Sequence, residues 1–345
     1  MRPNAGRSLR QWTDKHRAAS AALLVLLPLA SAFFCLSAGR YETTLGETAR
    51  VLWAHLSGGE SALACDGIIW NGRVPRMLLA LAAGGGLAAA GVAFQSLFCN
   101  PLATPDTLGA ASGASFGAAL GLLLGWSMTG VQLLALGTGL CAVGLTFALG
   151  RSRETGDSTV VLAGVVLSAL FSALVSLVKY AADVDSQLPA ITYWLMGTLS
   201  GAGWKRLAVG LPLLLLGMLG LALLRWRLNL LTLSPDEARS CGARLGILRG
   251  AAAVCASAIT ASAVSMCGQV GWVGLLIPHL CRMLFGSDNA KLIPASLSLG
   301  AAFLAIVDTL ARSLTASELP ISILTALLGA PVFLLLLRRT GGWKL

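Results

Sequence analysis

Ten apolar runs of about twenty residues each occupy most of this 345-residue chain. A helix of about twenty such residues crosses the hydrocarbon core of a bilayer. The runs lie near 18–38, 77–97, 107–125, 130–149, 159–181, 206–224, 248–266, 270–286, 292–312 and 320–338. Backbone in lipid must satisfy its own hydrogen bonds, so runs of this length predict helices. The expected fold class is an all-α integral membrane protein with about ten transmembrane helices. The eighth run is the shortest and is interrupted by Gly271, Gly274 and Pro278. A further apolar stretch at 187–203 is too short to span, and reads as a partly buried or re-entrant helix after the fifth span.

Composition removes the soluble alternatives. Hydrophobic residues make up 56% of the chain and charged residues 12%, with a mean hydropathy of +0.78. Soluble domains carry about 25% charge, so a soluble enzyme, a disordered segment and a nucleic-acid binder are all poor fits. The net charge of +10 has a simpler origin in the basic loops that stay on the cytoplasmic side of a membrane. The first run follows Arg2, Arg7, Arg10, Lys15 and Arg17, and its apolar core exceeds the 7–15 residues of a cleaved signal peptide. Ten spans that start inside place 17 of the 25 Lys and Arg residues in the cytoplasm and 8 outside. Both termini are therefore expected in the cytoplasm of a multi-pass protein. Residues 1–17 form a cytoplasmic N-terminal segment, 225–247 a cytoplasmic loop, and 1–345 a single transmembrane domain.

Charge is absent from the middle of every run, where it would mark an ion or proton path. This weighs against an ion-coupled secondary transporter or a channel acting alone, which stands as the alternative. Asp308 and Arg312, four residues apart near one end of the ninth run, are placed to pair along one helix face. His16, His55 and His279 are dispersed. The eight cysteines contain no C-x-x-C pair and read as small packing residues, not as a disulfide framework or a metal site. No catalytic constellation is legible, so the chain is expected not to be an enzyme. It has no G-x-x-x-x-G-K-[ST] phosphate loop, so any nucleotide must be bound by another polypeptide. Glycine-rich stretches such as Gly84-Gly85-Gly86 and Gly91 predict close helix packing.

Two loops stand out. Between the second and third runs, Cys99-Asn100-Pro101-Leu102-Ala103-Thr104-Pro105 carries two prolines and predicts a stiff elbow. Between the sixth and seventh, Ser234 has the chemistry of an N-cap and Pro235 suits the first helical position. Asp236 and Glu237 favour the positive end of a helix dipole, so a short helix ending near Gly242 is expected.

Taken in order, these segments resemble the permease subunits of ABC importers for iron-siderophores, haem and cobalamin. The matching residues begin with Arg73-Val74-Pro75-Arg76 and Gln95-Ser96-Leu97-Phe98, followed by Asn100-Pro101-Leu102-Ala103. They continue through Leu162-Ala163-Gly164, the 233–242 loop, Gly268-Gln269-Val270-Gly271-Trp272 and Ile277-Pro278-His279 to Asp308, Arg312 and Gly329-Ala330-Pro331. The resemblance covers residues 40–340. It implies a subunit of the bacterial inner membrane that pairs with a second copy or with a close relative, with two ATP-binding subunits and an extracytoplasmic substrate-binding protein as partners. It implies no cofactor in this chain, ATP and magnesium being held by the partner ATPase. Docking of the binding protein is implied at Arg73, Arg76 and Arg312. The cytoplasmic gate is implied at Asn100, Pro101 and Leu102, with a second segment at Gly156, Asp157 and Ser158. ATPase docking falls on Leu233, Ser234, Pro235, Asp236, Glu237, Ala238 and Gly242. In two places the chain departs from the family pattern: Ser234-Pro235 opens the docking loop where relatives have Leu-Gly, and Cys241 replaces a Leu. His279, though part of the motif, reads as structural.

Overall fold

Each apolar run is realised as a helix. The computed structural model describes residues 17–39, 41, 43–150, 158–242, 244–315 and 317–339, and contains no strand among them. Along the chain come α1 (Arg17–Ser37), α2 (Leu45–Leu56), α3 (Val74–Leu97), α4 (Ala110–Leu123), α5 (Met128–Gly150), α6 (Ser158–Ala181) and α7 (Gln187–Leu195). They are followed by α8 (Trp204–Leu224), α9 (Pro235–Ser240), α10 (Leu245–Cys267), α11 (Val273–Phe285), α12 (Asn289–Ser313) and α13 (Ile321–Arg339). A π-helical turn, Ile68–Arg73, leads directly into α3.

Seven of these helices are long and apolar enough to cross a bilayer, and three shorter ones, α4, α11 and the Ile321–Leu336 part of α13, occupy the remaining runs. At 1.5 Å per residue, α4 covers only about 21 Å of a roughly 30 Å core. The shortening has a backbone cause. Gly109 takes a left-handed φ of 78° that ends a 3₁₀ turn at Pro105–Leu108, and Gly125 at φ 68° follows the other end. Apolarity continues through both turns, so hydropathy alone overestimates the helix. In α11 the Gly268–Trp272 segment stays non-helical, with Trp272 itself at φ 69°. The stretch at 187–203 folds as the nine-residue α7 and a turn, matching the expected short helix.

The centre of the bundle is α3, buried at every position from Ala83 to Leu97. Small residues make this possible. A Cβ on Gly85 would stand 2.7 Å from the Leu297 carbonyl oxygen of α12, and one on Gly91 would collide with the Gly274 carbonyl of α11. Lipid supplies no hydrophobic force between helices, so close backbone approach and dispersion hold them together. Beside α3 lies α10, buried from Ala256 to Cys267. Helix α6 is peripheral instead, with Leu162, Leu177 and Tyr180 turned outward at 64%, 62% and 90% exposure.

At one end of the bundle three loops are joined by main-chain bonds. Thr198 N–H donates to the Cys267 carbonyl at 2.8 Å, and Ile321 N–H donates to the Gly197 carbonyl at 2.9 Å. The Ser322 hydroxyl donates to the Met196 carbonyl at 2.5 Å. The end of α10, the turn after α7 and the start of α13 are thereby held as a unit.

Candidate functional site

At this same end, Arg73, Arg76 and Arg312 line one cavity of about 400 Å³, together with Tyr41, Ser200 and Glu318. The sequence places these arginines far apart, and the helix ends bring them together. Each guanidinium is already engaged within the chain. Arg73 is buried, and donates to the Leu36 carbonyl at 2.7 Å, to Thr43 Oγ1 at 2.6 Å and to the Tyr41 carbonyl at 2.5 Å. The last carbonyls of a helix have no partner within it and carry partial negative charge. Arg73 therefore caps α1 at the same time as it lines the cavity. Arg312 donates to the Cys35 carbonyl of the same helix end.

Arg76 forms the charged centre. Its Nη2 lies 2.8 Å from Asp308 Oδ1, and its Nη1 lies 2.9 Å from Glu318 Oε1. The Asp308 carboxylate, expected to serve Arg312 along α12, is thus bound by Arg76 across to α3. Glu318, on the connection between α12 and α13, has no counterpart in the sequence reading. Its signal was only a lone acid beside Leu319-Pro320.

The opposite end carries the elbow. After α3, Cys99 adopts φ 47° and Asn100 forms a side-chain turn, Oδ1 accepting from the Leu102 N–H at 2.9 Å. Asn100 and Leu102 are exposed, with Pro101 between them. The Cys99 thiol reaches the Leu231 carbonyl at 3.3 Å and so ties the elbow to a 3₁₀ turn at Arg227–Thr232. That turn is anchored in its own right. Asn229 Nδ2 donates to Asp288 Oδ1 at 2.7 Å, Asn229 Oδ1 accepts from the Asn289 N–H at 2.8 Å, and the Ser96 hydroxyl donates to Asn289 Oδ1 at 3.2 Å. Sequence reasoning missed Asn229, Asp288 and Asn289. A single amide in the apolar Leu228–Leu231 stretch was the available clue. Of the second gate segment, Gly156 and Asp157 lie outside the described residues, and Ser158 opens α6.

The 225–247 loop contains the expected short helix. Ser234 is its N-cap: the Ser234 hydroxyl donates to Glu237 Oε2 at 2.8 Å, and the Ser234 N–H donates to the same oxygen at 3.1 Å. The Ser234 hydroxyl and main-chain bonds hold the Glu237 carboxyl below the usual carboxylate range. Asp236 pairs with Arg239 at 3.3 Å. Leu233 projects into solvent, Ala238 is fully buried, and Gly242 ends the segment at φ 74°.

Between the two ends, a cavity of about 320 Å³ is lined by Asp106, Thr104, Thr260, Gln269 and Ser322. Gln269 donates to Ser115 Oγ at 2.9 Å. Asp106 sits at the rim, solvent-exposed as a residue, yet burial of its carboxyl pushes the pKa up to about 6. It also went unnoticed in the sequence, where it follows the elbow as a lone acid. No group of three or more His, Cys, Asp or Glu side chains that could hold a metal occurs among the described residues.

Comparison with known proteins bears on what such an arrangement does. The sequence pattern of the FecCD transport family matches residues 24–339. The molybdate import system permease protein MolB of Haemophilus influenzae is 39% identical over 313 residues, covering 90% of this chain and 92% of that protein. The probable iron chelatin transport system permease protein of Helicobacter pylori strain 26695 is 40% identical over 288 residues, 84% of this chain and 87% of that protein. Among solved structures, an inward-facing ABC transporter assigned to the metal-chelate type superposes with a TM-score of 0.83. It is 37% identical, and the match covers 92% of this chain and 97% of that one.

Proposed function

The chain belongs to the FecCD transport family, and on that basis we propose that it is the permease subunit of an ATP-driven importer for a bulky metal chelate, an iron-siderophore first. The chelate is taken from an extracytoplasmic binding protein and released into the cytoplasm. Haem, cobalamin and molybdate are the other cargoes that relatives suggest. The chain performs no covalent chemistry, and hydrolysis belongs to two ATP-binding subunits. A second copy completes the pathway, and membrane lipid surrounds the pair. All ten apolar runs, the short helices together with their flanking turns, cross the inner membrane, with both termini in the cytoplasm, and residues 1–345 act as one domain.

The observation that carries this reading is the family match over nearly the whole chain, with the resembling segments in order. The geometry is compatible with it at both ends. The arginine cavity faces outward and receives acidic groups of the binding protein at Arg76 and Arg312, while Arg73 shapes its floor by holding α1. The elbow at Asn100, Pro101 and Leu102, with Gly156, Asp157 and Ser158, forms the inner gate. The ATPase docks on Leu233 to Ala238 and Gly242. The Cys99–Leu231 contact gives docking a short physical route to the gate. A switch of this kind needs ligands that bind its two states unequally, and nucleotide and the loaded binding protein supply them.

The test is uptake by the reconstituted complex, offered labelled ferric siderophore, haem, cobalamin and molybdate side by side. Accumulation of one cargo only with ATP is expected. Accumulation by this chain alone, driven by an ion gradient, would instead establish the secondary transporter.

A further inference from the structure

At the end of the bundle opposite the arginine cluster, a cavity of about 410 Å³ opens between α8, the Arg227–Thr232 turn, the end of α9 and the first turns of α10. Arg227 and Arg244 line it, both exposed, and no carboxylate does. Neither guanidinium has a hydrogen-bond or ion-pair partner among the described residues. Other cations of the segment are engaged: Arg239 pairs with Asp236 at 3.3 Å, and Arg225 lies 5.8 Å from the Trp226 ring centre. The cavity wall itself is apolar, made by Leu224, Leu230, Ile247 and Leu248.

Two apolar columns run away from this mouth. On α8, Leu216, Leu219 and Leu223 are 64%, 56% and 72% exposed at helical spacing, and Trp226 continues the line. On α10, Ile247 and Val254, seven residues apart and so on one face, are 64% and 61% exposed. An indole beside cations at the end of an apolar helix is the arrangement found at headgroup depth in a bilayer.

We infer that Arg227 and Arg244 bind the headgroup phosphate of an anionic phospholipid whose acyl chains lie along the α8 and α10 columns. A lipid meets both requirements of the site at once, because its phosphate neutralises two guanidiniums that have no partner among the described residues while its chains cover the exposed leucines and isoleucine. A protein carboxylate would neutralise the cations alone, whereas a phospholipid joins the charge to the apolar columns in one molecule. The cavity also includes Cys241 and Gly242, so the bound headgroup braces the C-terminal end of α9.

The test uses the full chain purified in neutral detergent. Native mass spectrometry measures retention of phosphatidylglycerol and of phosphatidylcholine with the same acyl chains, and thermal unfolding is followed with each lipid and with inorganic phosphate. Each basic residue near a charged headgroup contributes enough for the pair to give a preference of roughly tenfold or more. The wild type is expected to show that preference for phosphatidylglycerol, Arg239→Gln to keep it, and the double variant Arg227→Gln, Arg244→Gln to lose it. Should the double variant fail to fold, each single variant is expected to lower the preference about fivefold. Equal retention of the two lipids by the wild type, or an undiminished preference in the arginine variants, overturns the assignment. Protection by inorganic phosphate equal to that by phosphatidylglycerol overturns it too, and marks a site for free anions.

Discussion

Arg76 of α3 and Asp308 of α12 form a two-pronged ion pair, with Nη2 2.8 Å from Oδ1 and Nε 3.0 Å from each carboxylate oxygen. The pair joins the most buried helix of the bundle to its neighbour at the level of the arginine cavity. Asp308 is only 3% exposed, so water does little for its charge and the Arg76 guanidinium holds it directly.

Asp308→Asn should therefore destabilise the protein by about 3 kcal/mol, the lower end of the range for breaking a buried pair. The loss follows from leaving Arg76 partly uncompensated, more than from the bond itself. Thermal unfolding of the detergent-solubilised chain measures it, and a midpoint unchanged from wild type would show that Glu318 alone suffices.

Glu318 sets a second expectation. Its Oε1 occupies one edge of Arg76 at 2.9 Å, the edge that an acidic residue of the binding protein would use under the proposed docking. Glu318→Gln is expected to raise affinity for the binding protein several-fold, with a steeper dependence on salt, since the cavity becomes more positive and charge contacts at an interface act through steering and orientation. Arg76→Glu is expected to abolish association. Surface plasmon resonance on the permease in nanodiscs separates the two: an unaltered Arg76→Glu removes the docking assignment, whereas an unaltered Glu318→Gln removes only the competition.

The short helix α9 gives a third. Ser234→Ala deletes both the N-cap and the hydroxyl bond to Glu237, costing about 1 kcal/mol locally. With the ATPase bound, hydrolysis stimulated by loaded binding protein should fall, while the isolated permease keeps its unfolding midpoint. Normal stimulation would mean that the loop's docking surface does not depend on an ordered α9.

Helix positions and the α9 cap were legible in the sequence because each depends on local chemistry: a run of apolar residues, or a Ser-Pro-Asp-Glu signature. The short α4 was not, since Gly109 and Gly125 end the helix inside a run whose hydropathy never falls. Nor were the polar partners. Asp308 is four residues from Arg312 and 232 from Arg76, and sequence spacing favours the near neighbour. Only the α3–α12 crossing, set by glycines at the contact, decides for the distant one. Asn229, Asp288 and Asn289 were hidden in the same way, each unremarkable until three helix ends converge.

Those glycines are themselves testable. A Cβ on Gly85 meets the Leu297 carbonyl oxygen at 2.7 Å, and that backbone cannot rotate away as a side chain would. Gly85→Val should therefore separate α3 from α12 and abolish the folded permease, an overpacking effect of several kcal/mol where the main chain must move. Gly137, with open space around its Cβ position, should accept Ala with a change of under about 1 kcal/mol. Equal yields of folded protein from the two variants would contradict backbone packing as the source of cohesion.

The last expectation concerns pH. Burial pushes the Asp106 carboxyl from the ordinary 3.8 up to about 6, so the folded chain holds this proton more tightly than the unfolded one. Stability from this group is complete below about pH 4, declines as pH rises through 6, and is lost above it. The wild type should accordingly lose thermal stability between pH 4 and 6.5 more steeply than Asp106→Asn, whose side chain carries no proton to lose. The two curves should run parallel above pH 7, with the variant higher. Parallel curves across the whole range would mean that the carboxyl stays hydrated and titrates as it does in the unfolded chain. A steeper loss in the variant would mean that the charged form is the one the cavity favours.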